Sequence, residues 1–174
     1  MKFGRLRYAP AQQGELDGLC GVYVGVNFFC RRLGKDPKGK KDKAIFKRIL
    51  VDLARQKKLT AERICGGFRE GQLRKAFNRE AKYQGIPVKV QRFEVFFNRC
   101  GAATIFDALA LLKDDEAAIL NMNRGGHWVL AFACDGQKMR VDDSSEVPKT
   151  DTWRRSKIKS YGLSEKDGLV FLNA

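Results

Sequence analysis

The sequence predicts an α+β domain, with helices in its first half and an antiparallel sheet in its second. Apolar residues recur at helical spacing through residues 21–33, 44–58 and 70–84. After residue 86 the pattern changes to short apolar or alternating runs, which are typical of strands. With 174 residues, 44% of them hydrophobic, the chain can bury one core, so we expect a single domain over residues 1–174.

The three helical segments form a predicted helical lobe at about residues 13–84. A lysine-rich connection over residues 34–43 separates the first two segments. Cys65-Gly66-Gly67 predicts a break before the third, because consecutive glycines disfavour a helix interior. Gly85 and Pro87 then predict where the third helix ends.

The predicted sheet lobe, at about residues 86–174, consists of short strands with one helix among them. Cys134-Asp135-Gly136-Gln137 is typical of a hairpin turn, so the strands on either side of it should be neighbours. The expected strands cover residues 88–93, 117–122, 127–132, 138–143 and 168–172, and the expected helix covers residues 104–112.

The net charge is +14, from 34 Lys and Arg against 20 Asp and Glu. The resulting positive potential attracts acidic partners, whether an acidic protein, a nucleic acid or an anionic membrane. Basic stretches at residues 35–43, 69–82 and 154–159 are the candidate places for phosphate contacts. Aromatic residues do not alternate with these charges, so nucleic-acid binding through the basic surface is expected to be weak at most.

Five cysteines, at positions 20, 30, 65, 100 and 134, are odd in number and nowhere in a CxxC spacing. This argues against a disulfide framework and against a zinc site, and we expect neither a metal nor another cofactor. Four of the thiols are interpreted as small buried hydrophobic residues: Cys30, Cys65, Cys100 and Cys134.

No stretch approaches the roughly 20 apolar residues of a membrane span. The charged N-terminus lacks the apolar core of a signal peptide. Together with reduced cysteines, these features predict a cytoplasmic protein, with export by a signal-less route as the alternative.

The segment over residues 13–23, QGELDGLCGVY, reads as a polar loop that becomes a helix at Cys20. Unpaired N–H groups and the dipole at a helix N-terminus favour a thiolate, the nucleophilic form of cysteine. Gly21 is expected to leave the surface open to a substrate backbone. Cys20 is therefore a candidate nucleophile, and a buried structural cysteine at a helix start is the alternative.

His127, the only histidine, opens an apolar strand and supplies the base that a thiol nucleophile needs. Gly126 before it allows another chain to approach closely, and Trp128 after it can shield the imidazole from water. Gly126 and Trp128 are thus candidate substrate-binding residues, and Asn121 is a further candidate for lining the substrate pocket. The alternative is a histidine that forms only local hydrogen bonds.

A third group should orient the imidazole. On a two-residue period Asp143 shares a face with Met139 and Val141, the inward residues of its strand. A tight hairpin would bring it close to the start of the histidine strand. We assign Asp143 as the orienting group and keep Asp142 as the alternate; otherwise both are solvated turn carboxylates.

A fourth role is binding of the oxyanion that forms when a carbonyl is attacked. The backbone N–H of Cys20 is one expected donor. A side-chain amide just upstream is the natural second, and both Gln13 and Gln12 qualify. Gln13 is preferred because Gly14, which follows it, lets the loop fold back over the thiol.

The order Gln13, Cys20, His127 and Asp143 resembles that of the papain-like cysteine peptidase superfamily, in particular its compact bacterial or phage-type members. The resemblance lies in three short blocks: the DGLCG collar, the Gly-His-Trp strand and the Asp-Ser-Ser after the hairpin. It implies a helical lobe that carries the cysteine, packed on an antiparallel sheet that carries the histidine. Cys20 is followed by Gly21-Val22-Tyr23 rather than by the Trp that is common in papain. This difference leaves the substrate preference open.

The function hypothesis is a cysteine peptidase that hydrolyses a peptide or isopeptide bond. Its partner would be a protein or peptide, expected to be acidic because of the positive field. The same triad would also serve an acyltransferase or a deamidase. A basic nucleic-acid-binding module and an inactive relative used as a scaffold are the remaining alternatives.

Overall fold

A computed structural model describes residues 19–35, 40–122, 127–135, 137–143, 150–155, 162–163 and 166–174. Its helices are α1 (Cys20–Arg32), α2 (Lys40–Arg55), α3 (Ala61–Gly66), α4 (Glu70–Gln84), α5 (Phe93–Cys100) and α6 (Ile105–Ala110). Its strands are β1 (Val88–Arg92), β2 (Ala117–Met122), β3 (His127–Cys134), β4 (Lys138–Asp143), β5 (Thr150–Arg154) and β6 (Gly168–Asn173).

The strands form one antiparallel sheet in the order β1-β6-β2-β3-β4-β5. The first strand therefore pairs with the last, and β6 lies between β1 and β2. The hairpin predicted between β3 and β4 is confirmed, with the N–H of Asp135 donating to the carbonyl of Lys138 at 3.1 Å. The predicted α+β class with an antiparallel sheet is thus the observed one.

Helices pack on both faces of the sheet. Each face of the sheet has its own hydrophobic core, because successive side chains of β2 point to opposite faces. Ala117 and Ile119 pack with α1 and α4, whereas Ala118 and Leu120 pack with α5 and α6. We call these two sides the α1 face and the α5 face. The helical lobe that carries Cys20 covers the α1 face.

Aromatic rings hold the α1 face together. Phe28 of α1 stacks on Phe171 of β6 with ring centroids 3.8 Å apart. Phe77 of α4 lies 5.7 Å from the same ring, and all three side chains are fully buried. Burial of each such side chain contributes roughly 1.5–3 kcal/mol, so this cluster fixes α1 and α4 on the sheet.

A charged contact joins α2 to α4. The guanidinium of Arg48 donates to both carboxylate oxygens of Glu80, at 2.7 to 3.2 Å, and these hydrogen bonds raise the pKa of Arg48. Glu80 is only 3% exposed. Its burial is tolerated because the bidentate partner compensates the charge.

Several elements differ from the sequence-based expectation. Helix α2 begins at Lys40, inside the predicted connection. A short helix, α3, includes Cys65 and Gly66 of the expected break and ends before Gly67; it is capped by Thr60, whose hydroxyl accepts from the N–H of Arg63. Phe93 begins α5 rather than ending β1. Neither α5 nor β5 was expected, because their residues show no clear helical or strand periodicity in the sequence.

The thiols differ in burial. Cys30 is fully buried, as expected, whereas Cys100 and Cys134 are partly exposed and pack at the margin of the α5-face core. The expectation of four buried cysteines is therefore wrong for these two, and the side chain of Cys65 lies outside the described residues. None of the described cysteines forms a disulfide.

Within the described residues, no helix has both the length and the apolar character needed to cross a membrane.

Candidate active site

Cys20 is the first residue of α1 and its side chain is 5% exposed. The carbonyl of Leu19 accepts from the N–H groups of Val22 and Tyr23, at 2.7 and 3.0 Å, which starts the helix. Leu19 is apolar and supplies no side-chain cap. The thiol thus lies at the N-terminal end of α1, beside the first backbone N–H groups of the helix.

Two contacts align α1 with β3. At one end, a Cβ built on Gly21 would lie 3.4 Å from Cδ1 of Trp128. At the other end, the guanidinium carbon of Arg31 lies 3.5 Å from the ring centroid of Phe132. The helix and the strand therefore run in the same direction, so the first residue of α1, Cys20, and the first residue of β3, His127, lie at the same end of the sheet.

Gly21 has a different role from the one expected. It is buried rather than open to solvent, and a Cβ there would also lie 2.6 Å from Cδ1 of Leu73. Real Cβ atoms essentially never lie so close to another atom, so a side chain here would force either the buried end of Leu73 or α1 itself to shift. Glycine is needed here for the close approach of α1 to the sheet, and the expectation of an open surface at Gly21 is wrong.

His127 is partly exposed and lies opposite Met122 in the sheet. Alternation places it on the α5 face with Val129, whereas Trp128, 4% exposed, lies on the α1 face against the start of α1. The imidazole and α1 are thus on opposite sides of β3. His127 is, however, the terminal residue of this strand.

The two candidate orienting residues occupy neighbouring strand positions that belong to different faces of the sheet. Asp143 is paired with Val129, which puts it on the α5 face with His127, Met139 and Val141. Its side chain lies outside the described part. The other carboxylate, Asp142, is paired with Leu130 on the α1 face and is 4% exposed.

Asp142 forms an ion pair that the sequence did not suggest. Nη1 of Arg31 donates to Oδ2 of Asp142 at 3.5 Å. Burial lowers the pKa of Arg31 to about 10, and the charge of Asp142 opposes that shift. The two residues are 111 positions apart, and no local pattern links one to the other, so only the fold could show that they meet.

The other predicted site residues lie outside the described residues. These are Gln13 and its alternate Gln12, which were expected to bind the oxyanion, and Gly126, which was expected to line the cleft.

Comparisons with known proteins were made by sequence and by structure. A scan against protein-family models gives no match, and a search of curated proteins gives none either. Among solved structures, the chain is similar to a double glycine motif protease from an AMS/PCAT transporter in complex with the leader peptide. The identity is 12% and the TM-score 0.52, over 97% of this chain and 96% of that one.

A second similar structure is the peptidase domain of Streptococcus ComA, a bi-functional ABC transporter involved in a quorum sensing pathway. Here the identity is 10% and the TM-score 0.53, over 97% of this chain and all of that one (100%). At these identities the likeness shows the fold. The papain-like fold expected from the short motifs is therefore confirmed, over nearly the whole length of the chain.

Proposed function

We propose that the protein is a cysteine peptidase that cleaves a peptide substrate, with Cys20 as nucleophile and His127 as base. Asp143 orients the imidazole. Gln13 and the backbone N–H of Cys20 bind the oxyanion. The similar solved structures support this reaction class, because both belong to peptidases.

The observation that carries the proposal is the contact between the starts of α1 and β3. The Gly21–Trp128 approach involves the residues that directly follow the thiol and the imidazole in the chain. Because alternation puts His127 on the α5 face, the imidazole has to reach the thiol around the end of β3. The imidazole can reach around the strand because His127 is the terminal residue of β3.

In the proposed reaction, Sγ of Cys20 attacks the carbonyl carbon of the scissile bond while His127 removes the thiol proton. The carbonyl oxygen becomes an oxyanion, which the N–H of Cys20 and the amide of Gln13 stabilise. The C–N bond then breaks, and the leaving amine takes the proton from His127. Water, deprotonated by His127, hydrolyses the thioester, which releases the carboxylic acid and restores the thiol.

A peptide is the substrate class we favour. One of the similar structures is a complex with a leader peptide. The charge of +14 would raise the local concentration of an acidic peptide near the cleft.

The test is labelling with a peptide that carries an electrophilic carbonyl mimic at its C-terminus, followed by mass mapping. We expect one adduct, at Cys20, that is absent in Cys20→Ala and at least about 100-fold slower in His127→Ala. Labelling of Cys30, Cys100 or Cys134 in place of Cys20 would contradict the proposal. Added amine tests the alternative chemistry, since an acyltransferase would transfer the acyl group to the amine in preference to water.

A further inference from the structure

Asn121 is an unusual residue for its position in β2. All six residues of this strand are buried, and the other five are apolar: Ala117, Ala118, Ile119, Leu120 and Met122. The side chain of Asn121 is 9% exposed, and its Oδ1 accepts no hydrogen bond from any residue that the structure describes. A buried acceptor without a donor destabilises the fold, so its presence calls for a partner that comes from elsewhere.

The position of Asn121 places it beside the candidate active site. It is paired with Trp128 across the strands, and both lie on the α1 face. Trp128 in turn contacts Gly21, the residue after the nucleophile. Asn121 is also next to Met122, the partner of His127 in the sheet. Asn121 thus occupies the α1 face of β2 at the penultimate position of the strand, at the same end of the sheet as His127.

We propose that Asn121 is a substrate-binding residue whose Oδ1 accepts a hydrogen bond from one main-chain N–H of the bound peptide. This inference rests on the proposed peptidase function and adds a contact to the substrate. A carbonyl oxygen that lacks a donor is complementary to the N–H groups that an extended peptide presents along its length. The ligand class is an extended peptide that has a free N–H at that position.

The peptide itself gives the sharpest test. In a series of peptide electrophiles, each amide is replaced in turn by an ester, which removes one N–H with little change in shape. With the wild-type protein we expect one position in the series at which labelling of Cys20 is about 10-fold slower. In Asn121→Leu the parent peptide is slowed to a similar degree, and the ester at that position causes no further loss.

A second readout separates binding from a structural role. Leucine has the same branched shape and the same number of side-chain heavy atoms but no unsatisfied acceptor, so Asn121→Leu is expected to raise Tm while it slows labelling. A purely structural amide would lower Tm when removed. Alkylation of Cys20 by iodoacetamide, which presents no peptide backbone, is expected to proceed at the wild-type rate.

Gln91→Leu is the matched control. Nε2 of Gln91 is also buried without a partner among the described residues, but Gln91 lies on β1 opposite Val170, on the α5 face. We expect this variant to leave the labelling rate and the ester profile unchanged.

The outcomes distinguish the two proposals. If Cys20 reacts with neither iodoacetamide nor the parent peptide, the peptidase proposal is wrong, and the inference is wrong with it. If Cys20 is labelled normally but Asn121→Leu keeps the wild-type rate, or its ester profile matches that of the wild type, only the role of Asn121 is overturned.

Discussion

At the scale of single residues, Cys20, His127 and Asp143 could be proposed from the sequence because each lies in a short motif of a few neighbouring residues. The ion pair of Arg31 with Asp142 had none, since it forms only when α1 packs on β4. Asp142, the alternate orienting group, is paired with Leu130 on the α1 face and is bound by Arg31, so we keep Asp143 as the proposed orienting group.

Substitutions of these two neighbouring residues in β4 should therefore affect different properties, the labelling rate in one case and the stability in the other. Asp143→Asn is expected to slow peptide labelling of Cys20 by about 100-fold or more, because the imidazole loses its orienting charge, with little change in stability. Asp142→Asn leaves Arg31 without its carboxylate and is expected to lower the free energy of unfolding by about 1–3 kcal/mol. Labelling kinetics and urea denaturation measure the two quantities. The reverse pattern would assign the orienting role to Asp142.

Gly21 provides a second test at this scale. Gly21→Ala places a Cβ 2.6 Å from Cδ1 of Leu73, a fully buried side chain, and is expected to lower the free energy of unfolding by about 1–3 kcal/mol. Gly71→Ala is the control, because its Cβ would meet nothing within 4 Å and alanine favours a helix by about 1 kcal/mol. Equal effects of the two substitutions in urea denaturation would contradict the close packing at Gly21.

At the scale of elements, long periodic segments were predictable and short ones were not. Helices α1, α2 and α4 carry apolar residues at helical spacing over several turns, and β2, β3 and β6 each contain a continuous apolar run. Helix α3 spans six residues and depends on the cap from Thr60, so periodicity could not reveal it. Strand β5, with the sequence TDTWR, is held by its pairing to β4, and such a contact is not readable from its own residues.

The start of α4 carries a prediction about pH. Burial raises the pKa of Glu70 above its ordinary value of 4.5, although Nε of Arg92 lies 3.0 Å from its Oε1 and opposes the shift. Below pH 4.5 the carboxyl is protonated in both states. As pH rises the unfolded state ionises first, so the folded state loses stability until its own pKa is passed.

Glu70→Gln removes this dependence. We expect the Tm of the variant minus the Tm of the wild type to become more positive between about pH 4 and about pH 7. Thermal unfolding at a series of pH values gives this difference directly. A difference that stays constant or becomes more negative would show that the ion pair with Arg92, not burial, dominates the pKa of Glu70.

At the scale of the whole molecule, the fold is that of the two transporter peptidase domains, and the charge of +14 is a property of the entire surface. If that field draws an acidic peptide to the cleft, added salt should lower kcat/KM for the peptide and leave kcat nearly unchanged. A neutral peptide with the same scissile bond is the control. Equal salt profiles for the two peptides would exclude electrostatic recruitment.

The proposed mechanism requires that the thiol of Cys20 and the imidazole of His127 share one site at the common end of α1 and β3. Dibromoacetone tests it most directly, because its two reactive carbons flank a single carbonyl and can join only groups that are nearly in contact. After digestion, mass spectrometry should find the fragment of Cys20 linked to the fragment of His127. Alkylation of Cys20 with the second carbon joined to another residue, or to none, would contradict the account.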